Sequence, residues 1–224
     1  MKTIEPVARI RTPYTGKFGI PRQSGLVEAE CEIVFEPPYR SPESLRGLEG
    51  FSRLWLIWDF SEAKYNGTSL TVRPPRLGGN VRVGVFATRS PFRPNGLGLS
   101  CVRLLRINTE GASAPTLTVA GADMLDGTPI YDIKPYLPFT DAFPDAAYGF
   151  AEAARADRLR VTFPPDCPAL PQGELDALAS ILAGDPRPHY QNDPERVYAF
   201  EYGGLHVKFT CDGETVYVKE VRRL

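Results

Sequence analysis

Residues 27–35, VEAECEIVF, carry the strictest alternation in the chain: Val27, Ala29, Cys31 and Ile33 fall on one side, Glu28, Glu30 and Glu32 on the other. A period of two, with apolar and carboxylate side chains interleaved, is a strand with one face in a core and one in water. Working outward, residues 53–60 (RLWLIWDF) read as a largely buried strand, and Val81, Val83 and Val85 alternate with Arg82, Gly84 and Phe86 in another. Residues 101–107, 116–122 and 130–133 complete a set of short strands, and residues 44–50 read as a helical turn. Short strands separated by glycine and proline turns predict a mainly β barrel or sandwich.

Beyond residue 140 the texture changes. Residues 146–158 are alanine-rich with helical character, and Pro164, Pro165, Pro168 and Pro171 form a linker-like cluster. Leu175, Leu178, Ile181 and Leu182 follow at helical spacing, with Gly184 placed as a C-terminal cap. Strands are expected at 197–202, 205–211 and 215–221, separated by the turn signals Gly203-Gly204 and Asp212-Gly213. The expected organisation is a β domain over 1–140, a connecting segment over 141–171 and a small α+β domain over 172–224. That last unit is marginal alone, so it is expected to dock on the barrel or on a partner chain.

The chain has 224 residues, with 26 Lys+Arg against 27 Asp+Glu, and a mean hydropathy of −0.23. No apolar run approaches the roughly 20 residues of a membrane span, and MKTIEPVARI lacks a signal-peptide h-region. The four cysteines are scattered without a CxxC and there are two histidines. These counts predict reduced thiols, a cytoplasmic protein and no metal site.

Charge is segregated within this neutral total. Between Glu62 and Glu110 no acidic residue occurs, yet Lys64, Arg73, Arg76, Arg82, Arg89, Arg93, Arg103 and Arg106 do, interleaved with glycine, proline and asparagine. Like charges held together repel, and guanidinium forks match phosphates and carboxylates. The stretch therefore predicts an anionic ligand, the alternative being a solvated face. Three further loops stand out. KFGIPRQ (17–23) offers Arg22 and Gln23 on a shaped backbone, or is an ordinary turn. DGTP (126–129) is a hairpin turn, or presents backbone groups to a nucleobase or amino-acid edge. DPRPHY (185–190) is a helix stop, or presents Arg187 and a stacking Tyr190 to RNA. No GxGxxG or GxxxxGK[ST] is present, which disfavours Rossmann and P-loop sites, and Ser100 in GLSCV lacks the second glycine of a nucleophile elbow.

Taken together, TPYTGKFGIPRQSGLV (12–27), RGLEGFSRLWLIWDF (46–60), VRPPRLGGNVRVGVFATRSPFRPNGLGLS (72–100), DGTPIYDIKPYLPF (126–139) and DPRPHY (185–190) resemble the TsaA-like family of TrmO-type tRNA methyltransferases over nearly the whole chain. The resemblance implies a non-Rossmann β-barrel that binds S-adenosylmethionine, with a small C-terminal α+β domain. It implies a homodimer that methylates the exocyclic nitrogen of threonylcarbamoyladenosine at position 37, beside the anticodon of threonine tRNA. By position, cofactor contacts fall on Pro21, Arg22 and Gln23, on Ser61 and Glu62, on Arg89, near Cys101, and on Asp126, Gly127, Thr128 and Pro129. Where this chain has Ser61-Glu62, family members usually carry a histidine-containing pair, and where they read NPIG this chain has Asn95-Gly96-Leu97-Gly98.

The target nitrogen is ureido-like, with its lone pair drawn into a carbonyl, so a general base is called for. Asp126, Asp185 and Tyr190 are the candidates. Arg93 or Arg187 is expected to take the threonyl carboxylate, and Arg73, Arg76 and Arg82 the tRNA phosphates. The other reading is a non-catalytic module that holds S-adenosylmethionine or RNA.

Overall fold

In the computed structural model, which describes residues 3–63, 67, 69–74, 77, 80–151, 158–188 and 193–224, six strands close into a barrel. They are β1 (Ala8–Arg11), β2 (Glu30–Phe35), β3 (Arg53–Asp59), β6 (Leu97–Asn108), β7 (Thr116–Ala120) and β8 (Pro129–Pro135), in the order β1-β2-β7-β6-β3-β8. Every neighbouring pair is antiparallel. Closure leaves no free sheet edge. Inside, Ile10, Ile33, Leu54, Leu56, Val102, Leu117, Val119 and Ile130 are buried, with Trp58 near one end. Each such burial contributes about 1.5–3 kcal/mol.

The solvated face of β2 is also used. Glu28 takes Arg103 at 2.6 Å and Glu30 takes Arg106 at 3.2 Å. Glu32 accepts from Thr116 Oγ1 at 3.0 Å. Two arginines of the acid-free stretch thus belong to the barrel wall, neutralised by the strand whose alternation predicted the fold. These half-exposed pairs are worth about 0.2–1 kcal/mol each.

Residues 81–86 are not the core strand expected from their valines. Only β5 (Val83–Gly84) pairs there, with β4 (Thr71–Val72). A 3-10 turn over Val85–Ala87 follows. With so short a partner, just Val85 is buried, while Val81 and Phe86 face solvent. The turn expected over 44–50 is present as two 3-10 turns, Pro42–Leu45 and Leu48–Gly50.

After the single turn α1 (Pro138–Asp141), the segment expected only to connect supplies a strand, β9 (Arg160–Thr162). It pairs parallel with β12 (Thr215–Arg223). With β10 (Tyr198–Tyr202) and β11 (Leu205–Cys211) the sheet order is β10-β11-β12-β9. The helix α2 (Gln172–Ala183) buries Leu178, Ile181 and Leu182 in the same core as that sheet's Phe200, Val207, Phe209 and Val216. Gly184 caps its end as expected, its N–H reaching the carbonyls of the last turn, with φ −75°; the left-handed residue is the next one, Asp185, φ 50°. Aspartate is among the few side chains that tolerate that conformation.

Docking on the barrel is observed. Tyr14, Val27 and Ala29 lie in the core of the C-terminal unit, whereas Cys31, Ile33 and Phe35 lie in the barrel core. One run of alternation therefore serves two cores, changing over where β2 begins to pair with β7 at Glu30 and Ala120. Among the described residues, no helix is long and apolar enough to cross a membrane.

Candidate functional site at one mouth of the barrel

Strand direction decides which loops meet. Because all barrel neighbours are antiparallel, the segments 12–29, 60–96 and 121–128 emerge at one end, and 36–52 and 109–115 at the other. The acid-free stretch up to Asn95, the KFGIPRQ loop and the DGTP turn thus share one mouth.

Loop 12–29 is held from both sides. Gly19 has φ 98°, and a Cβ there would stand 2.6 Å from the Phe200 ring, so only glycine fits. Phe18 stacks on Phe209 at 6.4 Å between centroids. On the barrel side, Lys17 Nζ donates to Glu62 O at 2.8 Å, and Gly25 N to Gly121 O at 2.8 Å. Beyond the end of β7, the N–H of Cys101 finds the Ser24 hydroxyl at 3.2 Å. Arg89 Nη1 donates to Gln23 Oε1. Gln23, the Glu62 carbonyl, Arg89 and the Cys101 backbone are therefore linked through loop 12–29. Pro21 and Arg22 are its half-buried centre.

The DGTP turn closes over the end of β1. Asp126 N donates to Tyr14 O, Gly127 N to Ile10 O, and Thr128 N to Leu125 O. Those amides are spent, so they do not present the donor edge that an open turn would. The Asp126 carboxylate accepts from Thr12 N at 2.9 Å on a residue otherwise exposed. Thr128 and Pro129 are buried.

Asp185 and Arg187 differ most from expectation. The Arg187 side chain is 6% exposed and pairs with Asp185. Its Nε reaches Oδ1 at 2.8 Å and its Nη2 reaches Oδ2 at 3.0 Å. Nη1 donates to Cys211 O at 3.3 Å. The guanidinium is fully engaged, so the expectation that Arg187 reads a substrate carboxylate gives way to a structural role. Both Asp185 oxygens are engaged too, which removes it as a free base. This loop instead grips the mouth: Arg22 Nη2 donates to Asp185 O at 2.7 Å and to Arg187 O at 3.4 Å.

Arg73, Arg82, Arg89 and Arg93 lie in segment 60–96, and among the described residues none forms a salt bridge. Arg82 Nη1 donates to Thr71 Oγ1 at 2.9 Å and Arg93 Nη1 to Thr88 O at 3.0 Å. Arg76 and Tyr190 lie outside the described residues. Sequence reasoning passed over the two phenylalanines that flank Arg89. Phe86 is 76% exposed and Phe92 54% exposed, and aromatic faces between arginines suit stacked bases. It also passed over Asp123. The inward positions of β6 hold Gly98 and Ser100. A Cβ on Gly98 would come within 2.3 Å of the Trp58 indole. Trp58 Nε1 donates to Ser100 Oγ at 2.9 Å, and Ser100 Oγ donates to Asp123 Oδ1 at 2.5 Å. The period of two already places Ser100 inward, where its hydroxyl demands a buried partner. Burial pushes the Asp123 carboxyl above the usual range; the Ser100 hydroxyl, the backbone amides of Asp123 and Ser24, and Arg89 pull it part of the way back.

Fold and site together define a non-Rossmann β-barrel protein with an arginine-bearing mouth, braced by a docked α+β unit. The family models identify it further: the tRNA-methyltransferase O N-terminal domain matches residues 9–142 and the TrmO C-terminal domain residues 157–224. The chain belongs to the tRNA-methyltransferase O family. It is 41% identical to a tRNA (adenine(37)-N6)-methyltransferase of Escherichia coli (strain K12), covering 97% of each chain. It is also 41% identical to a putative S-adenosylmethionine-dependent methyltransferase of Pseudomonas aeruginosa, covering 92% and 90%. Among solved structures, a TrmO from P. aeruginosa superposes with a TM-score of 0.80 at 33% identity, covering 100% and 98%.

Proposed function

We propose that this protein methylates N6 of adenine 37 in tRNA using S-adenosylmethionine, in the cytoplasm, with threonylcarbamoyladenosine of threonine tRNA as the substrate nucleoside. The observation that carries the reading is the meeting of Gln23, Arg89 and the Cys101 backbone at a mouth whose segment 60–96 brings Arg73, Arg82, Arg89 and Arg93, none of them in a salt bridge among the described residues. When bound, the cofactor supplies an activated methyl group, so the hard chemistry is its own. The donor set suits it: Arg89 and Gln23 offer forked groups for a carboxylate, and Asp126 an acceptor for an ammonium or a hydroxyl.

The protein's part is orientation, worth roughly 7–11 kcal/mol in favourable cases, and removal of the N6 proton. Of the candidate bases, Asp126 keeps an exposed carboxylate at the mouth, whereas Asp185 is committed to Arg187. Arg93 uses one Nη on its own turn and is assigned the threonyl carboxylate. Arg73, Arg76 and Arg82 are assigned tRNA phosphates, and Phe86 and Phe92 stacking faces for loop bases. With labelled cofactor and total tRNA, label is expected in the modified nucleoside of threonine tRNA by mass analysis of the digest. Retained cofactor without transfer points to the non-catalytic module instead.

The homodimer is assigned to the outer face of β3 and β6. Trp55, Ile57 and Leu99 line an apolar depression there with Phe143, and Cys101 stands opposite Trp55 in the same ladder. Leu99 is 58% exposed, and burying such a patch between copies is favourable. The Leu99→Asp variant is expected to sediment as a monomer while the parent sediments as a dimer; two identical profiles reject this face.

A further inference from the structure

All three mouth loops converge on one carboxylate. Asp123 belongs to the 121–128 segment, accepts from Ser100 on β6, faces the Ser24 amide of loop 12–29, and attracts Arg89 of segment 60–96. The donors run one way. The Trp58 indole N–H is given to Ser100, and Ser100 gives its single proton to Asp123. The carboxylate end of this chain is thus fixed from inside the barrel, and its remaining acceptor capacity is turned towards the loops. The Ser24 amide, next in the chain to Gln23, is the carboxylate's other partner, and Arg89, bonded to Gln23, acts on it electrostatically.

We infer that Asp123 is a positioning residue: fixed by Trp58 and Ser100 from within the barrel, it sets the Gln23–Arg89 pair in register with the cofactor. The inference rests on the reading of this mouth as the S-adenosylmethionine site. It explains an arrangement that otherwise carries a cost, a partly buried carboxylate whose charge is disfavoured by its surroundings. Among the described residues, the titratable or charged groups that act on or feel Asp123 are Arg89 from segment 60–96 and Tyr14 from loop 12–29, whose hydroxyl is itself held far above its ordinary value by burial. Tyr14 therefore stays neutral, and the Asp123 charge is balanced by Arg89.

A carboxyl raised in the folded state binds protons more readily there than when unfolded. Its ionisation costs stability as pH rises through the raised value, while Arg89 is drawn in only above that value. Asparagine in its place still accepts from Ser100 but turns an amide where the Ser24 N–H and Arg89 need an acceptor. Asp123→Asn is therefore expected to weaken S-adenosylmethionine binding about tenfold or more in titration calorimetry, and to leave the melting temperature at or above the parental one. The acid-side weakening of cofactor affinity in the parent should vanish in the variant. Should that variant not fold, Ser100→Ala decides: it removes a hydrogen bond that lowers the carboxyl, so the acid-side loss should move to higher pH. Parental affinity and pH profile in Asp123→Asn, or an unmoved profile in Ser100→Ala, overturns the inference. A parent that binds no S-adenosylmethionine overturns the reading of the site itself, and the inference with it.

Discussion

Replacing Arg187 by alanine is expected to cost about 3–5 kcal/mol of folding stability, the largest effect of any single arginine here. Arg187 makes two charge-assisted contacts to Asp185 and one to the Cys211 carbonyl from a nearly inaccessible position. Truncation leaves a carboxylate without its partner and a carbonyl without a donor, and each loss is more costly than the pair was worth. Asp185 keeps some exposure, its side chain being 23% accessible, which places the expected value towards the lower end. The damage should spread, because Asp185 and Arg187 present the two carbonyls that hold Arg22. Denaturant unfolding should show the lowered midpoint, and S-adenosylmethionine affinity at low temperature, where the variant is still folded, should fall as well. If Arg187→Ala instead unfolds like the parent but no longer distinguishes modified from unmodified tRNA, the guanidinium reads substrate after all.

Much of this fold is written in local pattern. Residues 53–60, read as largely buried, bury only Leu54, Leu56 and Trp58 and leave Trp55 and Ile57 half-buried on the outer face, whereas residues 27–35 alternate because one face is closed. Segments at 101–107, 116–122 and 130–133 were legible for the same reason, although β6 and β8 run longer than their apolar cores. The first strand, Ala8–Arg11, was missed because four residues with two arginines give too short an alternation. The fourth, parallel strand of the C-terminal sheet, Arg160–Thr162, was hidden by the prolines around it. Charge was less legible than period. A run of arginines looked like one feature, yet the ladder divides it: Arg103 and Arg106 meet glutamates two strands away, whereas Arg89 and Arg93 do not. Pairing of that kind depends on barrel closure and leaves no mark in the neighbouring sequence. Asp123 was invisible for a related reason. In GADML it is an ordinary loop acid, and its meaning comes only from Ser100 and Arg89.

The same division sets the last prediction. Arg89→Ala is expected to lower kcat/KM for tRNA methylation about a hundredfold, the size of loss associated with misplaced reacting groups. Arg103→Ala, from the same run, is expected to leave it unchanged and to cost at most about 1 kcal/mol of stability. Both residues are exposed arginines on the barrel. Arg103 spends its fork on Glu28, with Nε at 3.0 Å and Nη2 at 2.6 Å. Arg89 uses Nη1 on Gln23, and among the described residues its remaining donors carry no further hydrogen bond. Lysine at position 89 should give an intermediate loss, since it keeps the charge but not the planar fork. If the effect were only long-range attraction of tRNA, Arg89 and Arg103 would matter alike and raised salt would erase the difference. A gap between the two variants that persists at high salt locates the function of this arginine run in the three-loop mouth. Equal losses in both would place it on the surface charge of the barrel.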